Sequence, residues 1–188
     1  MEVKVFREVS PESAAGHTAY RRHIGTVRTR SGYLSEITGM LAGLAAEEIV
    51  FGARSDGSGG SDGSDLQQAT VLAAGMEVSI GLGRNLAYLA PLDDRAVLAA
   101  LGRDARLRRS VNRTLRKCLE RSRELLRAHR PALDGLAGLL GESGSAALDD
   151  IIASIRNGPE VKPMNPASTQ ENLQIPGFKG LVGQNSSW

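Results

Sequence analysis

Three acidic residues are the side chains of this sequence best placed to do chemistry. Glu47 and Glu48 lie side by side in the apolar stretch from Leu41 to Gly52, and Asp65 follows a loop rich in glycine and serine. The start of a helix carries a partial positive charge, and an acid there can face a metal ion. Asp65 is therefore a candidate metal ligand. An acid that only caps the helix or occupies its first turn is the alternative reading of the same residue.

The histidines do not complete a zinc site by themselves. The chain has three, His17, His23 and His129. No two of them stand four residues apart with a glutamate after the first, the HExxH spacing that places two imidazoles on one helix face. The neighbours of His17 and His23 predict an extended segment and an exposed or structural role. A zinc ion at Asp65 would therefore need histidines from another segment.

Helices are the predicted elements that position the acids. One helix is predicted to carry an apolar stripe and to end at Gly52. A second is predicted from Asp65 to Ile80, and the first should pack against it. The predicted stripe residues are Leu34, Ile37, Leu41, Leu44 and Phe51 in the first helix, and Leu66, Ala69, Ala73 and Met76 in the second.

Glu47 falls three residues after Leu44 and four before Phe51, so the periodicity places it on the inward face. A buried carboxylate needs a hydrogen-bonding partner, and an acid that orients a zinc-bound imidazole has one. Glu48 is predicted to face solvent. The alternative is that the helix turns far enough for both glutamates to reach solvent.

The rest of the chain predicts a mainly α fold with a short β segment at Val3–Arg7. A long helix through Leu107 and Leu125, one beginning near Pro131 and one around Ile151 follow. Residues 54–64 form a low-complexity loop, and the stretch 85–91 is predicted to be irregular. Proline, glycine and polar residues dominate the end of the chain. We therefore predict one helical domain over residues 1–157 and a disordered tail over 158–188.

Composition narrows the class of protein. The 188 residues suffice for a substantial core, and the single cysteine, Cys118, excludes a disulfide within the chain. No apolar run reaches the length of a membrane span, and no signal-peptide pattern opens the chain. Aromatic residues make up only 4%. A solvated surface or a subunit contact is therefore the favoured role, over nucleic-acid binding, for the arginines of the long helix; these are Arg106, Arg109, Arg113, Arg116, Arg123 and Arg127.

Two motifs carry a resemblance to a known family. The stretch Leu41–Gly52, which contains Ala-Ala-Glu-Glu-Ile-Val-Phe-Gly, and the stretch Ser64–Thr70, Ser-Asp-Leu-Gln-Gln-Ala-Thr, resemble the peptidase domain of the FtsH family of ATP-dependent zinc metalloproteases. Val3–Arg7 resembles the short strand that follows the HExxH helix in that family. Gly16-His17-Thr18 resembles the family's Gly-Tyr-Thr. The resemblance covers about Val3 to Ile155, although the glycine-rich loop is longer than in the family.

The resemblance implies a zinc-dependent function. Asp65 matches the third zinc ligand, behind two histidines of an HExxH helix whose glutamate is the general base, and Glu47 matches an acid that orients an imidazole. It also implies protein substrates, a homo-hexamer, ATP bound by an upstream domain, and a cytoplasmic location with membrane attachment only through segments outside this sequence. The chain resembles the part of the peptidase domain that follows the HExxH helix, so we expect no hydrolysis by this chain alone.

Two other classes of function stay open at this point. A degenerate relative can keep the fold as a non-catalytic helical scaffold for assembly or regulation. An arginine-rich helix can also form a nucleic-acid-binding module, which a steep dependence of binding on salt would reveal.

Overall fold

The chain folds mainly into helices, as predicted. A computed structural model describes residues 2–5, 16–19, 27–56, 59–84 and 86–156. The predicted tail, residues 158–188, and His23 lie outside the described residues. The helices are α1 Arg30–Met40, α2 Ala42–Phe51, α3 Asp65–Val78, α4 Asp94–Arg103, α5 Ala105–Ala128, α6 Arg130–Ser143 and α7 Leu148–Arg156; the strands are β1 Glu2–Val5, β2 Gly16–Ala19 and β3 Ser145–Ala147.

The main core lies where α1, α2, α3 and α4 pack against α5. Apolar residues recur along α5 at spacings of three and four, so one face of this long helix turns inward and the other stays polar. Ile37 and Leu41 are fully or almost fully buried, and the half-buried Leu44 packs against the same cluster. The predicted packing of α1 against α3 is confirmed. Other core residues are Ala69, Ala73, Met76, Val97, Val111 and Cys118.

The first predicted helix is in fact two helices. Leu41 separates α1 from α2, and it lies between Gly39 and Gly43, two residues that each lower helix propensity by about 1 kcal/mol relative to alanine. A periodicity counted through this break misplaces the residues beyond it. Phe51, predicted to be inward, is 78% exposed. The predicted end at Gly52 is correct, since this glycine has a positive φ of 75° and its N–H caps the helix at the Glu48 carbonyl.

Leu66 is the other misplaced apolar residue. It was expected in the core, but it is 40% exposed in the first turn of α3. Its side chain lies near Gly59 of the preceding loop. The remaining predicted inward residues of α3, from Ala69 to Met76, are buried.

Two elements have no counterpart in the sequence prediction. Helix α4 begins where the Asp93 side chain accepts a hydrogen bond from the Ala96 N–H at 2.9 Å. Strand β3 has the composition Ser-Ala-Ala, which gives no strand signal. It forms because Gly144, with a φ of 74°, ends α6 and turns the chain toward β1.

The short β segment is the centre of a small antiparallel sheet of order β2-β1-β3. Val3 lies opposite Thr18 on one side and Ala146 on the other. Helices α6 and α7 pack against β3 and each other. None of the helices in the described part of the chain is long and apolar enough to cross a membrane.

Candidate metal centre

The start of α3 is capped without any help from Asp65. Ser64 is the N-cap, and its hydroxyl accepts a hydrogen bond from the Gln67 N–H at 3.4 Å. The Gln67 side chain in turn accepts from the Gly63 N–H and donates to Asp62 at 3.3 Å. A serine followed three residues later by glutamine is a capping-box arrangement. Ser64 is therefore the N-cap, and Asp65 occupies the first turn of α3, as the alternative reading allows.

The carboxylate of Asp65 is exposed at the first position of this 14-residue helix. It makes no hydrogen bond or ion pair with any described residue. Asp65 thus presents an uncommitted anionic oxygen pair, as a metal ligand must. Its role as a zinc ligand stays a prediction.

Glu47 faces the loop and not the core, so the inward placement is wrong. Its Oε2 accepts a hydrogen bond from the Ser55 N–H at 2.7 Å, and its Oε1 accepts one from the Ser55 hydroxyl at 2.8 Å. These bonds, the backbone one first, lower the pKa of Glu47 below its ordinary value. These hydrogen bonds do not test whether Glu47 orients a zinc-bound imidazole, so that role stays a prediction.

Glu48 is the glutamate that faces the helical bundle. Its carboxylate lies between Arg54 and Arg123, with Oε2 2.5 Å from a guanidinium nitrogen of Arg123 on α5. Burial alone would raise the pKa of Glu48, but the hydrogen bonds and charges of both arginines outweigh it and lower the pKa. The outward position predicted for Glu48 is therefore wrong. Both errors arise because Leu44 and Phe51 were used to mark the inward face, whereas the buried residue of α2 is Ala45, three residues before Glu48.

The two glutamates fix the beginning of the loop that leads to Asp65. Glu47 holds Ser55, Glu48 holds Arg54, and Ser64 with Gln67 fixes the loop's other end. No hydrogen bond joins Glu47 to Asp65. Sequence reasoning missed these two contacts, Glu47 with Ser55 and Glu48 with Arg54. A usable signal was present, because an arginine and a serine follow shortly after the two glutamates and the helix-ending Gly52.

The opposite end of α3 holds an acid that sequence reasoning did not single out. Glu77 is only 7% exposed. It accepts hydrogen bonds from the Arg84 N–H at 2.9 Å and from the Ser110 hydroxyl of α5 at 2.8 Å. Gly83 lies so close that an added Cβ would come within 2.8 Å of the Glu77 Cα. A glutamate within an otherwise apolar helical segment is the signal that marks it.

Among the described residues, Asp65 is a candidate metal ligand, but there is no complete metal site. No three of their histidine, cysteine, aspartate or glutamate side chains are grouped closely enough to hold a metal ion. His17 lies in β2, paired with Lys4 of β1, and His129 lies at the junction of α5 and α6. The donor chemistry of Asp65 fits zinc, while the set of described donors falls short of the three protein ligands of a catalytic site.

The described residues form a helical domain in which the Asp65 carboxylate, at a helix start after a long loop, makes no hydrogen bond or ion pair with them. Residues 11–151 match the model of peptidase family M41, and the chain belongs to this family. The FtsH resemblance seen in the two motifs agrees with this assignment.

Several curated relatives carry the name ATP-dependent zinc metalloprotease FtsH. The chain is 30% identical over 158 residues to FtsH 4 of Sphaerobacter thermophilus, covering 77% of this chain and 23% of that relative. It is 33% identical over 135 residues to FtsH of Methylococcus capsulatus, covering 64% and 20%. With FtsH of Thermotoga maritima the identity is 29% over 136 residues, covering 65% and 21%. The chain thus spans about a fifth of the length of these relatives.

Proposed function

We propose that this chain is the C-terminal part of the peptidase domain of an ATP-dependent zinc metalloendopeptidase that degrades proteins. The observation that carries the proposal is the uncommitted carboxylate of Asp65 at the start of α3, in the motif that resembles the family's third zinc ligand. Membership of peptidase family M41 supports the reaction class.

The proposed zinc site is shared between this chain and a segment that the sequence does not contain. A catalytic zinc commonly has three protein ligands and one open position. Asp65 supplies one ligand, and two histidines of an HExxH helix supply the others. Zinc in such a site activates water and polarises the peptide carbonyl. The HExxH glutamate is the proposed general base, so this chain alone has neither the full ligand set nor the base.

The chain's own residues hold Asp65 in place. Ser64 and Gln67 fix the helix start, and Glu47 and Glu48 fix the beginning of the loop. Each oxygen of an ionised carboxylate can accept two hydrogen bonds. Glu47 therefore keeps a free acceptor position on both oxygens while it binds Ser55. We propose that it uses one of them to orient an imidazole of the zinc site.

The whole machine is proposed from the family. An ATPase domain upstream would unfold protein substrates and pass them to the peptidase domain, and six copies would form the ring. We place the assembly in the cytoplasm, attached to the inner face of a membrane through segments outside this sequence. The names of the relatives support the requirement for ATP and zinc.

The test joins this chain to an HExxH-containing segment of a relative and replaces Asp65 by alanine. Loss of both bound zinc and casein degradation is expected, because an alkyl side chain cannot replace a carboxylate as a ligand. Zinc is measured by atomic absorption and activity by release of labelled peptides. Asp56→Ala is the matched control, since Asp56 is an exposed acid at the other end of the same loop.

Two outcomes decide the proposal. If Asp65→Ala keeps its zinc and its activity, Asp65 is not a ligand. If the joined protein with native Asp65 binds no zinc at all, the chain is a scaffold that keeps only the fold of the family.

A further inference from the structure

The charges along α5 are compensated in one half of the helix and not in the other. In the second half, Arg121 pairs with Glu124, and Arg123 and Arg127 both contact Glu120. Toward the start of the helix, Arg106 and Arg108 lie near Asp104, and the next four exposed cations form no ion pair with any carboxylate in the described ranges. We call these four, Arg109, Arg113, Arg116 and Lys117, the basic face.

The basic face lines a shallow groove of about 480 Å³, together with Asn112 and Glu120. Glu120 lies at the end of the groove, and its carboxylate already contacts Arg123 at 2.6 Å and Arg127 at 3.6 Å. The groove therefore offers three guanidinium groups, an ammonium and an amide with few competing acceptors. Guanidinium groups bind carboxylates and phosphates through two parallel hydrogen bonds.

The spacing of the arginines fits an extended acidic peptide. At about 1.5 Å per residue, Arg109 and Arg113 are separated by about 6 Å along the helix axis, and Arg113 and Arg116 by about 4.5 Å. In an extended chain, alternate side chains lie on the same face, about 6.6 Å apart. Three alternating acids on a partner segment span about 13 Å and the three arginines about 10.5 Å, a difference that the long arginine side chains can bridge.

Carboxylates bound the basic face at both ends, and this favours a short segment over a long polyanion. Asp104 caps the start of α5, and Glu120 and Glu124 follow Lys117. A continuous nucleic-acid backbone along the helix would meet these acids. No residue of α5 is aromatic, so the helix has no platform for stacking bases. The observations therefore favour a peptide whose acidic part is about 12 Å long, the axial length from Arg109 to Lys117.

We propose that the basic face binds a short acidic segment of a partner protein, in an extended conformation with carboxylates at alternating positions. The contact is electrostatic and exposed, so it is reversible and sensitive to salt. It lies on α5 and involves none of the residues proposed for the zinc site. Its failure and the failure of the proposed peptidase function are therefore separate results.

The test measures fluorescence anisotropy of a labelled seven-residue peptide in which three glutamates alternate with alanines. Binding at low salt is expected to weaken about 5-fold in Arg113→Gln/Arg116→Gln. This variant removes two exposed ion pairs, and each contributes about 0.5 kcal/mol. The matched control is Arg95→Gln/Arg156→Gln, which removes the same charge from exposed positions on α4 and α7. It should bind the peptide like the native chain.

Three results would overturn the proposal. The first is that the peptide does not bind at low salt, and the second is that the two double variants weaken its binding equally. The third is that a DNA duplex binds more tightly than the peptide and that Arg113→Gln/Arg116→Gln abolishes this DNA binding. The last result would assign the basic face to nucleic acid. Because all four substituted residues are exposed, both variants should unfold at the native temperature, which circular dichroism checks.

Discussion

The two ends of α3 each carry an acid, and the two acids differ in burial and in hydrogen bonding. Glu77 near the C-terminal end is buried and accepts hydrogen bonds from Arg84 and Ser110. Asp65 at the N-terminal end is exposed, and no described residue binds its carboxylate. Only the C-terminal acid lies against the surface of α5.

The difference separates an acid that holds the fold from one that is free for a ligand. A buried carboxylate must be satisfied by the protein, because leaving it without hydrogen bonds costs several kcal/mol. Its burial then also keeps its oxygens away from a ligand in solvent. Asp65 is exposed, so water can solvate its carboxylate, and the helix start is already capped by Ser64. Substitutions at Glu77 and Asp65 test this contrast, and those at the α2 glutamates fall between them in expected loss of stability.

Glu77→Ala should give the largest loss. It leaves the Arg84 N–H and the Ser110 hydroxyl without their acceptor in a buried site, which costs about 1–3 kcal/mol. Urea denaturation of the isolated chain measures the change. Glu77→Gln keeps the shape and one acceptor oxygen, so it should lose less. A Glu77→Ala midpoint equal to the native one would show that this acid does not hold the loop after α3.

Glu48→Gln should have an intermediate effect of about 1 kcal/mol, since it weakens contacts to Arg54 and Arg123 together. The folded-state pKa of Glu48 lies below its ordinary value of 4.5, so ionised Glu48 stabilises the fold above that pH. The stabilisation falls away as the pH drops through the lowered pKa. The difference between native and variant should therefore be full at pH 7 and shrink below about pH 4.5.

Glu47→Gln is the matched control for Glu48→Gln. It keeps a side-chain acceptor for Ser55 and disturbs no contact with α5. Denaturation at pH 7 should show the smaller loss for Glu47→Gln. The reverse order would mean that the loop contact, and not the link to α5, stabilises this end of α2.

Asp65→Ala should change the stability of the isolated chain least, by no more than about 0.5 kcal/mol, as is usual for an exposed site without partners. A thermal unfolding curve that overlays the native one is the expected result. A loss as large as that of Glu77→Ala would remove the contrast between the two ends of α3, because Asp65 would then be a structural acid.

The helical periodicities predicted the long elements correctly. The stripe on α5, the glycine stop at Gly52 and the proline start of α6 all carry strong local signals, and the structure has them. Helix α4 and strand β3 were missed, whereas the short strand β1 was predicted. Strand β3 exists only because β1, far away in the sequence, pairs with it, and no local pattern encodes such a pairing.

The candidate site was only partly predictable. The position of Asp65 at a helix start follows from the sequence, because Ser64 and Gln67 encode the cap locally. The facing of Glu47 and Glu48 does not, since it depends on which side of α2 meets α5. Leu44 and Phe51 marked the wrong face, because the buried residue of α2 is Ala45, three residues before Glu48.

The sequence by itself determined the family, the mainly helical class and the location of the candidate ligand, because motifs, caps and periodicities act over a few residues. Only the tertiary structure decided which acids are committed. Arg123 is 75 residues from Glu48, and Ser110 is 33 residues from Glu77. Partners at such separations meet only when the helices pack, and the packing brings no such partner to Asp65 among the described residues.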